Sequence, residues 1–297
     1  MKRLLVFLIL WLPVYAHAAL NVFACEPEWA ALAKEIGGDD VRVYAATTAM
    51  QDPHRIEARP SLIAQMRRAN LVVCTGADLE VGWLPVLLQN ANNAAVQPGR
   101  PGYFEAARFV PLLEKPARLD RADGDVHAAG NPHIHLDPRN ILRVSEALAK
   151  RLAEIDPANA AHYAARQKDF ASRMRAAIAR WEAEAAGLRG VPVVVHHKNW
   201  SYLVNWLGLR MVADLEPRPG VDPSPAHLAQ LLDRLKTQPA RMVLRAAYQS
   251  PKASEWIARR SGMKAVELPY TVGGSPRARD LFSLFDDTLT RLNEAAR

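Results

Sequence analysis

Three of the nine histidines in this 297-residue chain, His127, His133 and His135, fall within nine residues. The second half of that stretch reads Asn131-Pro132-His133-Ile134-His135-Leu136-Asp137-Pro138. A proline disfavours the α region for the residue before it, so Asn131 and Asp137 bracket a short, stiffened, non-helical segment that carries His133 and His135. Asp137 then caps a helix that starts near Pro138. A neutral imidazole held just ahead of a helix is well placed to ligate a metal, and a flanking carboxylate can orient it through its other nitrogen. The alternative is a polar surface loop, and further histidines elsewhere weigh against it.

Two more sites lie just past strand-like runs. The run Val41–Ala45 leads into Thr47-Thr48-Ala49-Met50-Gln51-Asp52-Pro53-His54, and Asp52-Pro53 stiffens the approach to His54. The run Val193-Val194-Val195 delivers His196-His197 to a strand end. Alternation puts these two on opposite sides, so one of them faces a given ion. Asp280, between Gly273-Gly274 and the last helix, is a carboxylate able to face the same space, with a plain helix cap as its other reading. Three imidazoles and a carboxylate form a tetrahedral set suited to Zn²⁺, whereas Mn²⁺ is better served by more carboxylate oxygen. Cys25 and Cys74 both end apolar runs with no Cys-x-x-Cys, so no thiolate site is expected; a disulfide and two buried thiols are both open.

The elements that must position these residues alternate. Strands are expected at Leu20–Cys25, Val41–Ala45 and Leu71–Cys74, with helices from Pro27 and from Ser61 between them, which means a parallel, helix-flanked sheet. The segment 98–115 is rich in Gly and Pro and holds one edge strand at most. A helix follows from Pro138 to about Ile155. From past Pro157 to about Ala186 the chain is helical without internal Pro, with Phe170, Met174, Ile178 and Trp181 at three- and four-residue steps. Some 28 residues at 1.5 Å each span roughly 40 Å, the length of a strut joining two halves. The second half repeats the plan, with strands at 191–195, 211–215, 241–246 and 264–268 and helices between and after them. The expected organisation is a 1–18 leader, an α/β lobe over 19–156, a linking helix over 157–188 and a second α/β lobe over 189–297, with a cleft at the carboxyl ends of the strands.

Lys2 and Arg3, an apolar run from Leu4 to Tyr15, and Ala16-His17-Ala18 read as a cleavable export signal. About twelve apolar residues are short for a membrane span. No cysteine stands at the cleavage point, so a lipid anchor is not expected. Loss of the leader takes away two basic residues and no acid, lowering the formal charge from +7 to +5. With no basic run and no basic-aromatic interleaving, nucleic acid is not an expected partner.

Gln51-Asp52-Pro53-His54, Asn131 to Pro138, Val195-His196-His197-Lys198-Asn199-Trp200-Ser201-Tyr202, and Glu216-Pro217-Arg218-Pro219-Gly220 with Pro223-Ser224 occur in an order that resembles the zinc- and manganese-specific solute-binding proteins of ABC transporters. The likeness runs along nearly the whole exported chain, the long helix included. It implies a periplasmic, monomeric receptor that captures a divalent ion between two lobes and hands it to a membrane permease. Carried over by motif, the ligands are His54, His133, His197 and, on the loosest match, Asp280. Manganese-selective relatives tend to have Glu at the third position, so His197 implies zinc. Two departures stand out. His135 replaces the usual aromatic residue, and a long His- and Asp-rich insertion is reduced to Asp120–His127, a loop that could collect zinc.

Three histidines with an open fourth position also hold catalytic zinc, so a zinc hydrolase is the competing expectation, with Glu57 or Glu216 as general base. A metal-independent exported adhesin or structural protein is a third.

Overall fold

The computed structural model describes residues 18–116 and 127–297. All but the last residue of the expected leader, and the expected zinc-collecting loop except His127, lie outside the described residues. Among the described residues no helix is long and apolar enough to cross a membrane.

Two sheets carry the fold. In the first, β1 (Leu20–Ala24), β2 (Val41–Ala45), β3 (Leu71–Cys74) and β4 (Tyr103–Glu105) are all parallel in the order β2-β1-β3-β4. In the second, β5 (Pro192–Val195), β6 (Arg210–Asp214), β7 (Met242–Ala246) and β8 (Lys264–Leu268) run parallel in the order β6-β5-β7-β8. The second half therefore repeats the topology of the first. Parallel strands need helical crossovers that cover both faces, which explains the all-apolar runs at β3 and β5.

The helices of the first half are α1 (Pro27–Gly37), α2 (Pro60–Arg68), α3 (Leu84–Ala91) and α4 (Pro138–Ile155). Helix α3 is a feature that the sequence reading passed over. It is eight residues long, Pro85 sits in its first turn, and its buried side is only Leu84, Leu87, Leu88 and Ala91. At Pro27, Pro60 and Pro138 the ring fills a position whose N–H would have no partner, so each starts a helix at a defined residue.

The long helix is α5 (Ala160–Glu184), flanked by short 3₁₀ turns at 157–159 and 186–188. Its 25 residues extend about 38 Å. It packs on α1 and α4 in one lobe and on α9 (Leu281–Ala296) in the other. Arg166 Nε donates to the Glu35 carbonyl on α1, and Trp181 Nε1 donates to Asp286 Oδ1 on α9 at 2.6 Å. One apolar cluster passes from Val22 and Leu71 through Phe170, Met174 and Trp181 to Val193 and Leu244, all fully buried. Exposing just the three α5 side chains by swinging the lobes apart would cost roughly 5–9 kcal/mol, as much as a whole domain's stability. The lobes are thus held at a fixed angle, and freedom is left to the loops at the strand ends.

The remaining helices, α6 (Ser201–Leu207), α7 (Pro225–Thr237) and α8 (Pro251–Ser261), complete the second lobe. Arg245 and Glu267 are register partners on β7 and β8, and their side chains form a 2.6 Å ion pair, which explains a basic residue near a strand end. Cys25 and Cys74, at the ends of β1 and β3, are joined as a disulfide.

Candidate metal centre

Each of the three expected imidazoles is delivered by a different local device. His54 ends the loop after β2, where Asp52 Oδ1 accepts the His54 backbone N–H at 3.1 Å in a tight Asx turn, and Trp83 Nε1 donates to the Pro53 carbonyl from below. His133 precedes a short 3₁₀ turn at Ile134–Leu136, and its N–H is taken by Asn131 Oδ1 at 3.0 Å. Asn131 is pinned in turn across the cleft, donating to the Lys198 carbonyl and accepting on its own carbonyl from Tyr202 Oη. Ahead of it, Gly130 has φ +121°, and a Cβ there would come within 2.8 Å of the Leu113 carbonyl oxygen, so the turn admits no side chain. His197 follows β5 directly in extended conformation.

The three rings meet. Their centroids lie 5.2 Å apart for His54 and His133, 5.7 Å for His54 and His197, and 5.6 Å for His133 and His197. One nitrogen from each lies within 4.8 Å of the others. The outer nitrogens are held by oxygen. His54 Nδ1 donates to Asp52 Oδ1 at 2.7 Å, His197 Nδ1 donates to Glu216 Oε2 at 2.6 Å, and His133 Nδ1 is 2.6 Å from the Tyr270 hydroxyl. The Nε2 atoms of His54 and His133 are buried and make no hydrogen bond. An orphaned, buried imidazole nitrogen is a costly feature unless something binds it.

Electrostatics favour an incoming cation. Burial first, and then the neighbouring imidazoles of His54, His197 and His127, holds His133 well below its ordinary pKa, so it is neutral with a free lone pair at neutral pH. Burial pushes the Asp52 carboxyl up, but the hydrogen bond and charge of His54 outweigh it and leave the group below its usual value. Two cavities of about 200 Å³ flank the rings, one lined by His127, Asn131, His133 and His197, the other by Asp52, His54, His197, Glu216 and Tyr248.

Asp280, expected as a fourth ligand, is not in this group. It is exposed and caps α9: Oδ1 accepts the Ser283 N–H at 2.7 Å, while Ser283 Oγ accepts the Asp280 N–H. The capping box holds that carboxylate at the start of α9. His127 does approach, with its ring stacked on His54 at 5.3 Å. His135 is fully buried and faces Glu28 and the Tyr270 carbonyl. His196 is buried and lines the second cavity together with His197 and Asp222, but it is not among the imidazoles whose nitrogens converge. Glu57 is exposed and is not among the residues that line the two cavities, and Glu216 accepts from His197 and from the Gly220 N–H.

Three residues that orient the imidazoles had weak or no sequence signal as such. Asp52 is two residues ahead of His54, the spacing of an Asx turn; Glu216 sits two residues beyond the end of β6; Tyr270 has no local pattern to mark it. A second set of close donors, Cys25, Cys74 and Glu80, lies within 4.8 Å of one another, but the disulfide occupies both sulfurs.

Over residues 22–295 the chain matches the family described as zinc-uptake complex component A, periplasmic, or ZnuA. The chain belongs to this family. A solved structure titled as ZnuA is 26% identical to it, with a TM-score of 0.78 over 94% of this chain and 100% of that one. A metal ABC transporter substrate-binding lipoprotein, ScbA, from Streptococcus cristatus is 28% identical over 160 residues, 53% of this chain and 48% of the relative. The manganese ABC transporter substrate-binding lipoprotein scaA from Streptococcus gordonii is 28% identical over 164 residues, 54% and 50% respectively. The chain spans about half the length of these curated relatives. Membership of the ZnuA family accounts for the two-lobed fold.

Proposed function

We propose that this ZnuA-family protein is the periplasmic receptor of a metal ABC importer, that its cargo is zinc, and that His54, His133 and His197 bind it. The observation that carries this is the inward turn of the rings: each Nδ1 is held by Asp52, Tyr270 or Glu216, so each Nε2 is presented to one point. With no side of the nitrogen triangle longer than 4.8 Å, closing it onto Zn–N bonds of about 2.0–2.1 Å takes at most about 0.8 Å of movement per ring, within the reach of loops. Three nitrogen donors suit zinc better than manganese, which prefers oxygen. Asp52 and Glu216, one atom layer out, offset the ion's charge and raise the basicity of their imidazoles.

With Asp280 engaged as a helix cap, the fourth position falls to His127, whose ring stacks on His54 and lines the same cavity as His133 and His197. A closed four-ligand shell leaves no open position for substrate, and the protein acts by binding and release, not by turnover. It works as a monomer, since one chain supplies every ligand, and its partner is the membrane permease.

Metal analysis and competitive titration of the purified exported chain test the reading. The expected result is one zinc per chain, held more tightly than manganese, and loss of that ion in His54→Ala, His133→Ala and His197→Ala. Equal or tighter manganese binding, or zinc retained by all three variants, would overturn it.

A further inference from the structure

His135 sits two residues from His133 with no part in the ion's shell, yet it is among the most deeply buried polar side chains, with no exposed surface at all. Both of its ring nitrogens face acceptors. Nδ1 lies 3.0 Å from Glu28 Oε1, an ion-pair contact off the hydrogen-bond line, and Nε2–H donates to the Tyr270 carbonyl at 2.9 Å. Glu28 is on α1 in the first lobe and is itself fully buried, with Oε2 accepting from Thr271 Oγ1. Tyr270 and Thr271 belong to the second lobe, just past β8. The Glu28–His135 pair therefore grips two consecutive residues of the opposite lobe, one by its backbone and one by its hydroxyl.

What that grip fixes is the Tyr270 side chain. Its ring stands edge-on to His135 at 4.8 Å, to Tyr248 at 5.4 Å and to Trp200 at 6.2 Å, so the cage leaves one direction for the hydroxyl. That direction ends on His133 Nδ1 at 2.6 Å. Of the three converging imidazoles, His133 is the one whose outer nitrogen meets a neutral phenol in place of a carboxylate. A carboxylate can only accept, and so dictates an Nδ1–H tautomer by itself; a hydroxyl can donate or accept, and it serves as the acceptor only when its place and the rotation of its own O–H are both constrained. We propose that His135 is a positioning residue for His133. Anchored by Glu28, it holds Tyr270 so that the phenol oxygen accepts the His133 Nδ1–H and the lone pair of Nε2 faces the ion. This deepens the zinc reading, on which its affinity arm rests.

The tautomer can be read without any metal, from ¹⁵N–¹H correlation spectra of the imidazoles in the metal-free exported chain. In the wild type His133 is expected as the Nδ1–H form. Tyr270→Phe and His135→Leu should each move it to a mixture of tautomers and weaken zinc binding about tenfold or more, the cost typical of losing an oriented outer partner. His135→Gln, which keeps a side-chain N–H for the Tyr270 carbonyl, should restore most of both. The double variant His135→Leu with Tyr270→Phe should bind zinc no worse than Tyr270→Phe alone, because both act through one hydroxyl.

A purely structural staple predicts otherwise: a lower melting temperature with the His133 tautomer and the zinc affinity unchanged, and that result overturns the proposal. If His135→Leu does not fold, Glu28→Gln, which keeps the volume and removes the anchoring charge, decides in its place by the same two readouts. A wild-type chain that binds no zinc sinks the metal reading alone, and the tautomer data still judge the role of His135.

Discussion

Glu216 Oε2 accepts the His197 Nδ1–H at 2.6 Å and, with the same oxygen, the backbone N–H of Gly220 at 2.8 Å. One carboxylate thereby orients an imidazole and ties down the loop over the cleft, whose Gly220 carbonyl accepts from Arg55 of the other lobe. Asp52 plays the matching part for His54, taking its Nδ1–H and its backbone N–H with one oxygen. Removing either should act on the ion through a ring that is still present. Glu216→Gln and Asp52→Asn are expected to lower zinc affinity by 10- to 100-fold, in the range measured for such outer partners, with both chains still folded. Titration of each variant beside His197→Ala and His54→Ala checks this, since truncating a ring should cost more than loosening it.

The two candidates for the fourth position separate cleanly. Asp280 caps α9, so Asp280→Ala should leave zinc affinity unchanged and lower stability by about 1 kcal/mol, the usual cost of a lost N-cap. His127→Ala should weaken zinc several-fold and leave stability as it was. Denaturant melts and metal titrations of the pair of variants give opposite patterns if the roles are as assigned, and a zinc defect in Asp280→Ala would reverse them.

The share of this legible in the sequence follows from how local each signal is. The strands and most helices announce themselves through apolar runs closed by Pro and Gly, and the cluster at Asn131–Pro138 marks a ligand loop because two prolines fix its backbone. His54 and His197 stand out because strand ends point at the cleft. Helix α3 was passed over because eight residues give barely two turns of pattern. The rank of Asp280 before the final helix fits both a ligand and a cap, and the capping box it forms with Ser283 is set by the local backbone. Tyr270 and Glu28 carry no local signal: Tyr270 lies 137 residues from His133 and Glu28 lies 107 from His135, and only the packing of the lobes brings them together.

The disulfide closes a loop across 49 positions, between the ends of β1 and β3, which pair directly in the first sheet. By loop entropy a link of that span contributes about 4 kcal/mol, and measured values run lower. The double variant Cys25→Ala, Cys74→Ala is expected to lose about 2–4 kcal/mol in denaturant melts, with zinc affinity in the folded state unchanged. A loss of zinc without a loss of stability would mean that the sulfurs act on the ion instead.

Beside that disulfide, Glu26 and Glu80 are buried together, which gives stability an unusual pH dependence. Burial raises Glu80 from the ordinary carboxyl value to about 7 despite the N–H groups of Thr75 and Gly76 that it accepts, and burial with the charge of Glu80 raises Glu26 as well. A carboxyl raised in the folded state binds a proton that the unfolded chain has already released between the two pKa values. The unfolded state then holds fewer protons, so stability falls as pH rises. The stabilising contribution is therefore complete below about 4.5 and lost by the time the pH passes about 7, opposite in sign to the behaviour of a salt-bridged carboxylate. Glu26→Gln keeps an oxygen for the Thr75 hydroxyl and removes one ionisation. Denaturant melts at pH 5 and pH 8 should show wild type losing stability across that interval and Glu26→Gln losing less; a variant with the wild-type slope would remove the pair as its cause.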